Sequence, residues 1–214
     1  RNGLVLVATV PPAIAVIPFT ILLQGDQIFS LLGVVGAYLA ALALTPLLTF
    51  LLLEGQLLVY PDRILLILAE LILGPLVLSR LLHYLRLVPY LLPWKGPGTN
   101  WSFFVITYTI VGLNRELFLK QPLELGPILI IAAISTFVWG SLIEYLGQRW
   151  GLAPARRVSL TLMGTLKNYG LAGGLALSLF DKKTAVPAAV STVFMITYII
   201  WLGVKAKKPK DKLL

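Results

Sequence analysis

The sequence predicts an all-α polytopic membrane protein of about seven helices, two of them interrupted near mid-passage. Three observations carry this reading. Of the 214 residues, 58% are hydrophobic and only 13% charged, with a mean hydropathy of +0.89. A soluble domain carries about 25% charged residues, and a chain of this size has too little interior to hide so much apolar surface. Seven hydrophobic segments recur along the chain, and all but the fourth have roughly the 17–25 residues that cross about 30 Å of hydrocarbon. Finally, helix-breaking and polar residues concentrate inside two of these segments.

The first segment, 4–23, contains Pro11, Pro12 and Pro18. Proline lacks an N–H and its ring clashes with the preceding turn, and it drives its predecessor out of helical geometry. A break is expected near Pro11-Pro12, with its freed carbonyls turned toward protein or a water-filled cavity. Such a break serves an ion, a substrate, a hinge or nothing beyond a kink. The second segment, 28–53, is long and holds Pro46. The third, 63–82, contains Gly74-Pro75 and places Glu70 mid-passage. The fourth, 101–114, is short and extends at most to Lys120. The fifth, 125–146, begins near Pro127 and carries Glu144 near its end. The sixth, 158–180, is glycine-rich, with Gly164, Thr165, Lys167, Asn168 and Tyr169 around its centre. The seventh, 184–204, leads into a basic tail at 205–214. Backbone groups in lipid must be satisfied within the element, so helices are the natural reading of all seven.

Lys167 is the most informative residue. A lysine at the centre of a spanning helix costs about 2.5–3.5 kcal/mol on insertion scales, so it must face protein or water. Snorkelling is a poor escape so far from either end. Glu70 and Glu144 are the acids available to it, and Glu70, mid-passage, is the expected counter-charge or gate; an ion pair that only fixes packing is the plainer alternative. Interrupted segment followed by long segment occurs at 4–53 and again at 158–204, and paired interruptions in corresponding halves are a sequence pointer to a transporter's central site.

Other classes are excluded or unsupported. The net charge is +9, but eight of the eighteen basic residues cluster near 147–157 or after Gly203, where they cap hydrophobic passages beside anionic headgroups. Nucleic acid is therefore not the expected partner. There is no cysteine and the one histidine is His83, so thiolate chemistry, disulfides and a histidine-rich metal site are ruled out. Ser159, Ser178 and Ser191 lie in no nucleophile motif, so no enzyme activity, cofactor or metal is expected. Counting Lys and Arg in the loops puts eleven on the side of the C-terminus and six on the side of residue 1, which predicts a multi-pass cell-membrane protein with a cytoplasmic C-terminus. Tyr60, Tyr84, Tyr90, Trp94, Trp101, Trp150 and Trp201 lie near segment ends, where aromatic rings favour the headgroup level. Arg1-Asn2-Gly3 enters a hydrophobic stretch at once, as expected of an internal point in a longer protein.

Stretches at 10–25, Leu44-Thr45-Pro46-Leu47-Leu48-Thr49 and 156–187, the last with Ser159, Gly164, Asn168, Tyr169-Gly170-Leu171-Ala172 and Val186-Pro187-Ala188, resemble the bile acid:sodium symporter superfamily. The resemblance implies a ten-helix inverted-repeat transporter fold of core and panel domains. On that plan this chain is similar to helices four to ten. Residues 1–53 supply core helices of the first repeat, with a crossing helix at 4–23 and its successor at 28–53. Residues 61–120 supply panel-side helices, and 125–204 the remainder, with the second crossing helix at 158–180.

Pro11, Pro12, Pro18 and Gly164 are the expected helix breaks. The family's sodium ligands are not kept. Its Ser-Asn turn falls on Val16-Ile17, and its acid and glutamine on Met163 and Lys167, while its asparagine matches Asn168. Oxygen ligands suit sodium, and these replacements do not. The expected function is secondary transport of a small organic anion by alternating access, with Lys167 standing in for a bound cation. Sodium coupling is then weak or absent, and proton coupling or uniport takes its place. Lys167, Asn168, Thr165, Tyr169, Thr9 and Thr20 are the expected substrate-binding residues, with Thr45 and Thr49 close by. A non-transporting membrane subunit or scaffold is the alternative.

Overall fold

The structure, a computed structural model, describes residues 1–53, 61–120 and 122–207. Tyr60 and the tail from Lys208 onward lie outside the described residues. The regular elements are helical throughout: α1 (Asn2–Thr9), α2 (Val16–Leu22), α3 (Gln27–Leu52), α4 (Pro61–Tyr84), the short α5 (Val88–Leu91), α6 (Lys95–Leu113), α7 (Arg115–Lys120), α8 (Gly126–Ala133), α9 (Trp139–Arg149), α10 (Pro154–Thr165), α11 (Tyr169–Leu179) and α12 (Val186–Lys207). A π-helical turn, Ile134–Val138, joins α8 to α9. Among the described residues, Gln27–Leu52, Pro122–Arg149 and Lys183–Ala206 are long and apolar enough to cross a membrane without interruption.

Proline position decides which segments break. Pro46 and Pro75 sit inside α3 and α4 without ending them. Pro18 is the third residue of α2 and does not interrupt it either, because first-turn N–H groups have no helical acceptor to lose. The same tolerance lets α6 start at Lys95, ahead of Pro97, and α10 start at Pro154, both earlier than hydropathy suggested. Gly164 is the penultimate residue of α10, so the expected break falls just after it, at the helix end; it also admits the Ile143 side chain against the backbone.

Burial runs opposite to that of a water-soluble helix. Along α3 the buried residues are Ser30, Val34, Ala41, Thr45, Pro46 and Thr49, whereas Leu31, Leu32, Leu39, Leu44 and Leu47 are exposed. Small and hydroxylated residues thus face the other helices and large apolar ones face out, as in helix packing within lipid. Tyr84, Tyr90, Trp94, Trp101 and Trp150 are also exposed.

The main core is assembled from α1, α2, α3, α10, α11 and α12, including Leu6, Val10, Val16, Leu162, Leu166, Leu175, Met195 and Tyr198. A smaller cluster of Leu125, Ala132, Val186 and Val190 ties α8 to α12. The α4 helix packs on α3 and touches α11, and α6 packs on α12.

One pattern occurs twice within the core: a half-helix, a gap, a second half-helix, an aspartate-capped turn and a long helix. In the first copy Phe29 N–H donates to Asp26 Oδ1 at 3.0 Å. In the second, Thr184 N–H donates to Asp181 Oδ1 at 2.7 Å. The sequence distance from Asp26 to Asp181 equals that from Pro12 to Lys167, the two residues that pair across the gaps. Each copy also starts against the turn of the other. Gly3 of α1 lies against the Thr184 carbonyl and Pro187, and Ser159 of α10 donates from its hydroxyl to the Asp26 carbonyl at 2.9 Å.

Candidate functional site

The site forms where the two interrupted segments meet. α1 ends at Thr9, with Val10 extended, and α10 ends at Thr165, with Leu166 extended. The gaps pair as a single antiparallel bridge between Pro12 and Lys167. Ala13 N–H donates to the Leu166 carbonyl at 2.7 Å, and Asn168 N–H donates to the Pro11 carbonyl at 2.9 Å. These bonds flank the Pro12–Lys167 pair, so that pair is of the non-hydrogen-bonded kind in which neither residue need donate to the other. Proline fits such a position because it has no donor to strand. Breaking a helix away from water is costly unless its freed groups find partners; here each gap supplies them to the other.

Side chains complete the accounting. Thr45 Oγ1 donates to the Thr9 carbonyl at 2.8 Å. Lys167 Nζ donates to the Val10 carbonyl at 3.3 Å. Asn168 caps α11, its Oδ1 accepting from Leu171 N–H at 3.0 Å, while its Nδ2 donates to the Tyr38 hydroxyl at 2.6 Å. The hydroxyls of Thr9 and Thr49 lie 3.4 Å apart. The crossing is therefore lined by an ammonium, a carboxamide, a phenol and threonine hydroxyls, set among the negative ends of α1 and α10 and the positive end of α11.

The expected residues divide in three. Lys167, Asn168 and Thr9 come together at the crossing, with Thr45 and Thr49 beside them. Thr165 and Tyr169 flank the same gap; both are buried, as Thr9 is, and the hydroxyls of Thr165 and Thr9 already donate to the Thr161 carbonyl at 2.6 Å and the Leu6 carbonyl at 3.2 Å. Thr20 is elsewhere: fully buried, it donates to the Val16 carbonyl and lies 2.8 Å from Ser30 Oγ, pinning α2 to α3. Pro11 and Pro12 lie in the gap. Glu70 is not brought to Lys167. It is exposed on α4, and no ion pair joins the two among the described residues; Lys167 Nζ donates to the Val10 carbonyl. Glu144 instead accepts from Lys205 Nζ at 2.9 Å.

Tyr38 is the residue that sequence reasoning missed. Its signal was a phenol near the middle of a largely apolar 26-residue helix, the same kind of mid-passage polarity that drew attention to Lys167. At a second close approach, Tyr198 of α12 reaches the backbone of α9 at Gly140, next to the Thr165 methyl; a side chain at Gly140 would occupy the space of the Tyr198 hydroxyl.

No protein-family model matches the chain, and no curated protein matches it.

Proposed function

We propose that this chain is a multi-pass membrane protein that carries a small organic anion across the bilayer by alternating access, with the crossing of its two interrupted helices as the transport site. One observation carries the reading: Lys167 stands in the crossing with no carboxylate within ion-pair distance among the described residues. An ammonium withdrawn from water needs a compensating charge. Its bond to the Val10 carbonyl, at 3.3 Å, is longer than the usual 2.7–3.2 Å and leaves donors over. A substrate carboxylate supplies the missing charge, and Asn168 and Tyr38 are placed to contribute hydrogen bonds. Sheathing of the core by exposed leucines makes lipid the fitting solvent.

The ten-helix, two-domain plan and the kinship with bile acid:sodium symporters belong to this proposal. They rest on the residues quoted above and on the twofold recurrence of gap, aspartate turn and long helix. The C-terminus is taken as cytoplasmic on the charge count alone. A resident ammonium in place of a bound cation makes transport independent of sodium. Uptake into proteoliposomes, with sodium replaced by choline at fixed pH, is expected to change less than twofold, and Lys167→Gln is expected to remove it. Loss of uptake in choline overturns the cation-substitution reading; full activity of Lys167→Gln overturns the site.

A further inference from the structure

A second polar locus lies at the other end of α10. A cavity of about 260 Å³ opens between α9, α10 and α12. Its apolar wall includes Val158 and Leu202, and its polar groups are Glu144, Arg157, Thr161 and Lys205. Arg157 and Thr161 are one turn apart on the same face of α10. Both are short of partners: among the described residues Arg157 Nε and Thr161 Oγ1 are buried without a hydrogen bond, and Thr161 is only 3% exposed. Such groups are few in folded proteins, and each calls for a missing partner.

The charges select the partner. Lys205 and Glu144 neutralise each other at 2.9 Å, which among the described residues leaves Arg157 as the unbalanced charge of the cavity. The Arg157 stem runs over Gly147, where an added methyl would stand 3.2 Å from its Cγ; the glycine thus makes room for the arginine beside the cavity. An uncommitted guanidinium, a buried hydroxyl and an apolar wall match an oxygen anion attached to an apolar chain. At this volume the occupant is small, since drug-sized ligands take about 300–1,000 Å³. We infer that the α9–α10–α12 cavity is a binding site for a small amphiphilic oxyanion, held by Arg157 and Thr161, separate from the helix crossing. A free organic acid and the phosphate of a lipid headgroup offer the same chemistry.

The test is saturable binding of radiolabelled hexanoate to the purified protein in nanodiscs of neutral phosphatidylcholine. Arg157→Gln and Thr161→Val are each expected to weaken the site, the first by about tenfold or more, since a hydrogen bond to a charged group is lost. Thr161→Val keeps the shape of its side chain and guards against an Arg157 variant that misfolds. Lys167→Gln is expected to leave this binding in place, which separates the site from transport at the crossing. Phosphatidate doped into the discs distinguishes the sources: competition with hexanoate assigns the cavity to lipid, and its absence assigns it to a soluble acid. Hexanoate and phosphatidate binding that ignores both Arg157→Gln and Thr161→Val overturns the inference, as does binding that disappears with Lys167→Gln alone.

Discussion

Removing the Asn168 side chain tests whether the crossing is held as described, independently of any transport. Asn168 has two jobs, visible as two bonds: its Oδ1 caps α11 through Leu171 N–H, and its Nδ2 donates to Tyr38. Loss of an N-cap costs about 0.5–2 kcal/mol. A side-chain hydrogen bond between helices in a membrane is worth about 0.6 kcal/mol on average, and at most about 1.7. Asn168→Ala is therefore expected to destabilise the protein by roughly 1–2.5 kcal/mol. Tyr38→Phe removes only the second bond and is expected to cost about 0.6 kcal/mol. Asn168→Ser keeps a capping oxygen but is too short for Tyr38, so its cost should match that of Tyr38→Phe. In the double variant the two effects overlap, leaving a coupling of about 0.6 kcal/mol. Unfolding titrated with SDS in mixed micelles and followed by tryptophan fluorescence measures all four proteins. Strict additivity, or a Tyr38→Phe cost as large as that of Asn168→Ala, would refute this division of roles.

Close packing and charge give further expectations. Gly140→Ala places a methyl where the Tyr198 hydroxyl and Thr165 methyl already stand, and overpacking of this kind costs about 1–3 kcal/mol. Gly36→Ala meets nothing within 4 Å and is expected to be neutral or stabilising by up to about 1 kcal/mol; equal effects in the same unfolding assay would contradict the packing. The hydrogen bond from Thr184 N–H holds the Asp181 carboxyl below its ordinary 3.8, and that from Phe29 N–H, aided by Arg156, does the same for Asp26. A depressed carboxyl stabilises the fold above its unfolded pKa and ceases to as pH falls through its folded one. Thermal stability is thus expected to decline below about pH 4, and Asp181→Asn should shrink that decline. An undiminished decline in the variant would remove Asp181 from the account.

Composition and segment length were enough to identify a helical chain with several long apolar rods, because they report the solvent that each helix must meet. Pro11-Pro12 located the first gap for a local reason: two adjacent residues without N–H groups cannot continue a helical ladder. Lys167 and Asn168 were legible as polar residues that hydrocarbon does not tolerate. Pairing between the gaps was not legible. No local rule connects Pro12 with Lys167, so only the approach of two distant segments decides which donor meets which freed carbonyl. The same approach settled the fate of Thr20, paired with Ser30, and left Glu70 exposed on α4, unpaired with Lys167 among the described residues. Pro18 was misread as a break because the effect of a proline depends on its position within the helical turn. Residue chemistry therefore determined where this chain could not be regular; tertiary contact alone decided how each irregularity was satisfied, since a buried polar group is settled by whatever partner the fold brings within about 3 Å.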